Sequence, residues 1–176
     1  MAVHIIVDGY NVIRQSPVLK HLDRQALQRG REALIDRLAS YKRLKGHKIT
    51  VVFDGAAEAA IFENRDREKG IHILFSRQGE TADAVIKRMA AREKQGALVV
   101  SSDRDVAGFS AGQGAAVISS VEFEETMEMA ALMDVKGVSP DTGADEGWGF
   151  TTRKKGPTRR LPKKQRLNQK RLNKLL

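Results

Sequence analysis

The chain contains no cysteine, which excludes disulfides and thiolate metal sites. Its four histidines, His4, His21, His47 and His72, show no H-E-x-x-H or other ligand spacing, which argues against a histidine-bound zinc. Any metal would have to be held by oxygen, which points to Mg²⁺ or Mn²⁺. No stretch approaches ~18 consecutive apolar residues, so no membrane span is expected. The N-terminus runs straight into Val3-His4-Ile5-Ile6-Val7 and an aspartate. It lacks the basic start and longer apolar run of a signal peptide, so a cytoplasmic location is expected. No G-x-G-x-x-G follows the first strand and no G-x-x-x-x-G-K-[ST] occurs, so no nucleotide cofactor is expected.

Charge is abundant and unevenly placed. The net charge is +9, yet residues 153 to 176 hold eleven of the 31 basic residues and no acid. The other 20 face all 22 acidic residues, leaving residues 1 to 152 at −2. Such a tail is an electrostatic footprint for a polyanion, with RNA the expected partner. The candidate RNA-binding residues are Arg153, Lys154, Lys155, Arg159, Arg160, Lys163, Lys164 and Arg166. A plainer role for the tail is solubility. A monomer is the default oligomeric expectation.

Apolar runs at Val3–Val7, Ile49–Phe53, Ile71–Phe75, Ala97–Val100 and Ala115–Ile118 predict five buried strands. A helix is expected from an Asp23 cap to about Lys45, with Leu27, Leu34, Leu38 and Tyr41 on its inner face and Gly46 as its stop. Others are expected from Ala82 to about Gln95, from Asp103 to about Gly112, and from Ser119 to about Met133, the last opened by the Ser119–Glu122 capping box. Strands alternating with helices imply a mainly parallel sheet flanked by helices. Residues 1–133 read as the domain, 134–158 as a linker, and 159–176 as a basic extension that can be helical after Pro162.

Three predicted strands end in an aspartate: Asp8, Asp54 and Asp103. In a parallel sheet with right-handed crossovers, these ends open on one edge, where ligands bind. Asp83 starts the helix after the third strand and can join them, with Glu80 and Asp105 in local reach. Carboxylates gathered there repel one another unless a cation intervenes. An oxygen-only site of this kind suits Mg²⁺ or Mn²⁺, a phosphate ligand and phosphodiester hydrolysis. Each aspartate also has a plainer role. Asp8-Gly9 and Asp54-Gly55 can be turns, Asp103 or Asp105 a cap, and Asp83 a helix-dipole partner.

The motifs now point to a family. Val7-Asp8-Gly9-Tyr10-Asn11-Val12-Ile13 resembles the opening of NYN domains, a branch of the PIN-like nucleases. Val52-Phe53-Asp54-Gly55, Glu80-Thr81-Ala82-Asp83-Ala84-Val85-Ile86 and Ser101-Ser102-Asp103-Arg104-Asp105 resemble its later motifs, in the correct order. The whole chain is most similar to the YacP-like subgroup, and the resemblance covers about residues 3 to 133. The resemblance implies a PIN-like three-layer α/β fold and a divalent-metal-dependent endoribonuclease cutting single-stranded RNA. Carried onto this chain, it makes Asp8, Asp83 and Asp103 principal metal ligands, with Asp54 and Asp105 completing the catalytic set. Asn11 would orient a phosphate or a coordinated water, or equally cap the short helix that follows. Ser101 or Ser102 would position the neighbouring carboxylate. The basic tail lies outside the NYN core, so the family motifs do not assign its role. A receiver or haloacid-dehalogenase-type phosphatase would need a lysine near a late strand, and none stands there after Val100. The main alternative is a non-catalytic RNA-binding or ribosome-associated protein on the same fold. Tyr10 could stack on a base or pack in the core. Arg65, Arg67, Lys69 and Arg77 could guide RNA or form a solvated basic loop.

Overall fold

The computed structural model describes residues 3–55 and 67–135 and, in the basic tail, residues 166 and 170. Six strands form one sheet: β1 (His4–Asp8), β2 (Lys48–Phe53), β3 (Arg67–Glu68), β4 (Ile71–Phe75), β5 (Ala97–Val100) and β6 (Ala116–Ile118). Their order is β3-β4-β2-β1-β5-β6. All pairings are parallel except β3 with β4. The chain builds outward from β1 to β2 and β4 on one side and to β5 and β6 on the other. The order therefore reverses between β1 and β5, where an open α/β sheet leaves a crevice at its C-terminal edge.

Side chains alternate across the strands, and the two faces bury different helices. Ile5, Val7, Ile49, Val51, Phe53, Leu98 and Val100 pack with Val12, Leu19, Leu34, Leu38, Tyr41 and Phe123. Those partners come from α1 (Gly9–Gln15), α2 (Pro17–Gln25), α3 (Leu27–Lys45) and α6 (Ser120–Val135). Ile6, Val52 and Val99 face the opposite way, onto Val85, Ile86 and Met89 of α4 (Ala82–Glu93) and Val106 of α5 (Arg104–Gly112). The fold is the expected three-layer one. The parity also sends Asp8, two residues beyond Ile6, to the α4–α5 side.

The helix expected from Asp23 is two helices. Ser16 caps α2 by accepting from the Leu19 N–H at 3.3 Å, with Pro17 in its first turn. Asp23 lies inside α2, and a Cβ on Gly30 of α3 would come within 2.8 Å of the Asp23 Cβ. Gly30 thus lets the two helices cross closely. Ala26 begins α3 without a side-chain cap, and Leu27 is 36% exposed rather than core. The predicted capping box is present: Glu122 Oε2 accepts from the Ser119 N–H at 3.1 Å, and Ser119 Oγ accepts from the Glu122 N–H at 3.2 Å.

The two-residue strand β3 was not expected. Lys69 and Gly70 both have positive φ, 49° and 84°, as a tight hairpin turn onto β4 demands. Lys42 donates to the Gly70 carbonyl and Lys69 pairs with Asp36, tying the hairpin to α3. No helix among the described residues is long and apolar enough to cross a membrane.

Candidate active site

The C-terminal edge of the sheet collects the predicted acids. Asp8 ends β1 and caps α1. It is 6% exposed. Its Oδ1 accepts from the Asn11 N–H at 3.2 Å, and its Oδ2 from Ser101 Oγ at 3.0 Å. Ser101 Oγ also accepts from the Asp103 N–H at 3.1 Å, so one buried serine holds the chain from β5 to α5 against Asp8. Asp103 caps α5, its Oδ1 accepting from the Asp105 and Val106 N–H groups at 2.8 and 3.1 Å. Asp54 follows β2, and its Oδ1 accepts from Ser76 Oγ at 3.2 Å and from the Ala82 N–H at 3.0 Å. It thereby fixes the start of α4, whose first turn carries Asp83.

The glycines of the two Asp-Gly pairs sit where a side chain would not fit. Gly9 begins α1, and a Cβ there would fall 2.3 Å from the Phe53 ring. A Cβ on Gly55 would fall 2.2 Å from the Ser76 carbonyl oxygen. Glycine lets α1 start directly against Phe53 while Asp8 stays at the edge.

Electrostatics mark Asp8 and Asp83. Burial pushes the Asp8 carboxyl up to about 6, against the hydrogen bonds from Asn11 and Ser101 and with help from the charges of Asp83 and Asp103. Asp83 is also raised, first by burial and then by Asp103, Asp54 and Asp105, with Lys87 opposing. These acids are near enough to repel, but among the described residues no three acidic or histidine side chains converge at coordination spacing. The donors are hard oxygens with a deficit of positive charge. That suits Mg²⁺ or Mn²⁺, which take one or two carboxylates and complete their shell with water and phosphate.

Other predicted residues have found partners. Asp105 pairs with Lys87, and Glu80 with Arg88. Asn11 lies inside α1, whose cap is Asp8, so the capping role is not its own. Its Oδ1 accepts from the Ser102 N–H at 2.9 Å and from Ser120 Oγ at 2.7 Å, stitching α1 to the β5–α5 loop and to α6. Tyr10 packs edge-on to Phe53 with centroids 5.2 Å apart, and its hydroxyl accepts from Arg31 Nε at 2.9 Å. Of the basic residues near β4, Arg67 and Arg77 are exposed and Arg65 lies outside the described residues. In the tail, Arg166 and Lys170 are helical and exposed. Arg153, Lys154, Lys155, Arg159, Arg160, Lys163 and Lys164 lie outside the described residues. Sequence reasoning missed Ser76, Ser120 and Lys87. Each is a single polar residue whose partner lies on another element, so only the fold reveals it.

Comparison with known proteins decides the family. The YacP-like NYN domain matches residues 5–175, nearly the whole chain. The chain belongs to the YacP-like NYN family. The match continues through the basic extension to residue 175. The uncharacterized protein YacP of Bacillus subtilis (strain 168) is 33% identical over 86 residues, 49% of this chain. That match spans half the length of this curated relative. The crystal structure of Rae1 (YacP) from Bacillus subtilis is similar with a TM-score of 0.65 and 29% identity, covering 78% of this chain and 79% of that one. A point mutant of that protein gives 0.65 and 28%, over 76% and 80%. The fold is therefore the PIN-like NYN fold, and the chain falls in the PIN-like nuclease superfamily.

Proposed function

We propose that this NYN protein is a divalent-metal-dependent endoribonuclease that cleaves single-stranded RNA in the cytoplasm. The observation that carries the reading is Asp8. It is a buried carboxylate at the point where strand order reverses, raised to about 6 and facing the charges of Asp83 and Asp103. A fold gains nothing from an arrangement that raises the cost of its own charge, whereas a cation would turn the same arrangement into binding energy.

Asp8, Asp83 and Asp103 would hold Mg²⁺ or Mn²⁺, with Asp54 and Asp105 adding negative charge at the rim. A cation there would supply Lewis-acid polarisation of the phosphate and a water acidic enough to attack near neutral pH. The chain's own part is preorganisation. Ser101 fixes the Asp8 carboxylate, Asp54 fixes the α4 start beneath Asp83, and Asn11 fixes the loop that carries Asp103. The Asn11 amide would orient a phosphate oxygen. The basic residues from Arg153 to Arg166 would contribute affinity for RNA without reading its sequence.

The test is incubation of purified protein with labelled RNA and DNA in Mn²⁺, Mg²⁺ or EDTA. Metal-dependent internal cleavage of RNA is expected. RNA binding without cleavage, across a broad panel of cellular RNAs, would favour a non-catalytic RNA-binding or ribosome-associated protein.

A further inference from the structure

Lys87 lies one helical turn after Asp83 on α4, so both occupy the same face of that helix. Its ammonium pairs with Asp105 in the first turn of α5 and lies 5.9 Å from the centre of the Phe109 ring. The Lys87 side chain is only 24% exposed, while that of Asp105 is 80% exposed. The lysine is thus the more buried of the two partners. The hydrogen bond to Asp105 is the largest influence raising its pKa, and the charges of Asp105, Asp83 and Asp103 add to it. Lys87 in turn lowers the pKa of Asp83. One cation therefore bridges α4 and α5 at the rim of a negatively charged edge.

Two consequences follow from charge alone. An ammonium beside Asp83 and Asp103 competes with any divalent cation for the same field. Once such a cation neutralises those carboxylates, the field holding Lys87 on the rim weakens. An exposed ion pair such as that with Asp105 contributes little by itself. A compact charge with three rotatable donors, on a flexible stem, is then free to meet a phosphate.

We propose that Lys87 is a resident counter-cation of the acidic edge, which gives way to the divalent cation and then contacts the RNA phosphate beside it. The inference rests on the nuclease reading above and adds a residue that none of the acidic motifs contains.

The test is Mn²⁺ binding by calorimetry and cleavage of labelled single-stranded RNA, using the full chain, Lys87→Gln and Lys87→Arg. Removing a unit positive charge near the acids should tighten Mn²⁺ binding by ~3–10-fold in Lys87→Gln. The same variant should cut at least ~10-fold more slowly at saturating Mn²⁺, for loss of a charged contact to phosphate. Lys87→Arg should keep most of both wild-type values. A Mn²⁺ affinity within about twofold of wild type in Lys87→Gln overturns the proposal. So does tighter binding with unchanged cleavage, which removes the phosphate role. If no protein cuts RNA, wild type included, the nuclease reading fails, and the affinity change alone then decides for or against the counter-cation. If wild type binds no Mn²⁺, both fail.

Discussion

The two ends of the central strands handle buried ionisable groups in opposite ways. At the N-terminal end, His4 Nδ1 meets Glu93 Oε2 at 2.5 Å and its Nε2 meets Thr50 Oγ1 at 2.7 Å. His4 and Thr50 are both buried. Each partner satisfies the other, as buried polar groups in a stable fold do. At the C-terminal end of the same strand, Asp8 is equally buried, but its charged neighbours Asp83 and Asp103 share its sign. The first end is built for stability. The second holds unfavourable charge in place, which is the arrangement the proposed cation site requires.

The pH dependence should separate the two ends by sign. Asp8 has a folded-state pKa raised from 3.8 to about 6. Its contribution is fully favourable below the unfolded value and is lost as pH rises toward about 6. By neutral pH a shift of that size costs the metal-free fold on the order of 2–3 kcal/mol. His4 is lowered, chiefly by burial, against the opposing hydrogen bond and charge of Glu93. The unfolded chain then binds the extra proton, so His4 favours the fold above its unfolded value and loses that contribution as pH falls.

The largest expected effect comes from Asp8→Asn. Asparagine can still cap α1 and meet Ser101 Oγ, so the fold should hold. Cleavage should fall by ~10²–10³-fold or more, since several kcal/mol of metal-assisted stabilisation is removed. The same variant should melt higher than wild type at pH 7 without metal, by up to ~5–10 °C. Activity assays with parallel melting curves check both halves. A lower melting temperature would make Asp8 a structural cap.

Next in size is the pH dependence of metal binding. Mn²⁺ must displace the Asp8 proton, so affinity should drop about tenfold per pH unit below the Asp8 pKa and level off above it. Calorimetry from pH 5 to 8 would show the bend. A flat profile would remove Asp8 from the ligand set.

At the other end, Glu93→Ala should cost ~1–3 kcal/mol of stability by leaving Nδ1 of buried His4 without its partner, while cleavage per folded molecule stays unchanged. Denaturant unfolding beside an activity assay separates the two effects. Thr50→Val should be smaller, about 0.5–1.5 kcal/mol, because it removes one hydrogen bond and leaves the His4–Glu93 contact. A loss of cleavage in either variant without loss of stability would end the division of labour between the two edges.

The sequence made the strands legible because each is a short, largely apolar run, followed by an aspartate at Val3–Val7 and Ile49–Phe53 and by a serine at Ile71–Phe75, Ala97–Val100 and Ala115–Ile118. Ile71–Phe75 and Ala97–Val100 keep their predicted bounds in the fold. The aspartates were legible because parallel topology sends every strand end to one edge. The helix start expected at Asp23 lies instead inside α2. Asp23 has cap chemistry, but Ser16-Pro17 already opens a helix there, and Gly30 lets α3 cross α2 closely beside Asp23. The β3 strand is two residues long, too short for a periodic signal. Asn11 was legible as a motif residue but not as the stitch between Ser102 and Ser120, since that role depends on elements more than 90 positions away. His4 showed no ligand spacing, and its partners Thr50 and Glu93 are visible only once the strands pair.

The most direct test of the central claim is cleavage of labelled single-stranded RNA by wild type and Asp8→Asn, each with Mn²⁺ and with EDTA, at matched folded concentration. The acidic edge predicts internal cleavage by wild type with Mn²⁺ only. Equal cleavage by Asp8→Asn, or cleavage by wild type that persists in EDTA, would contradict it.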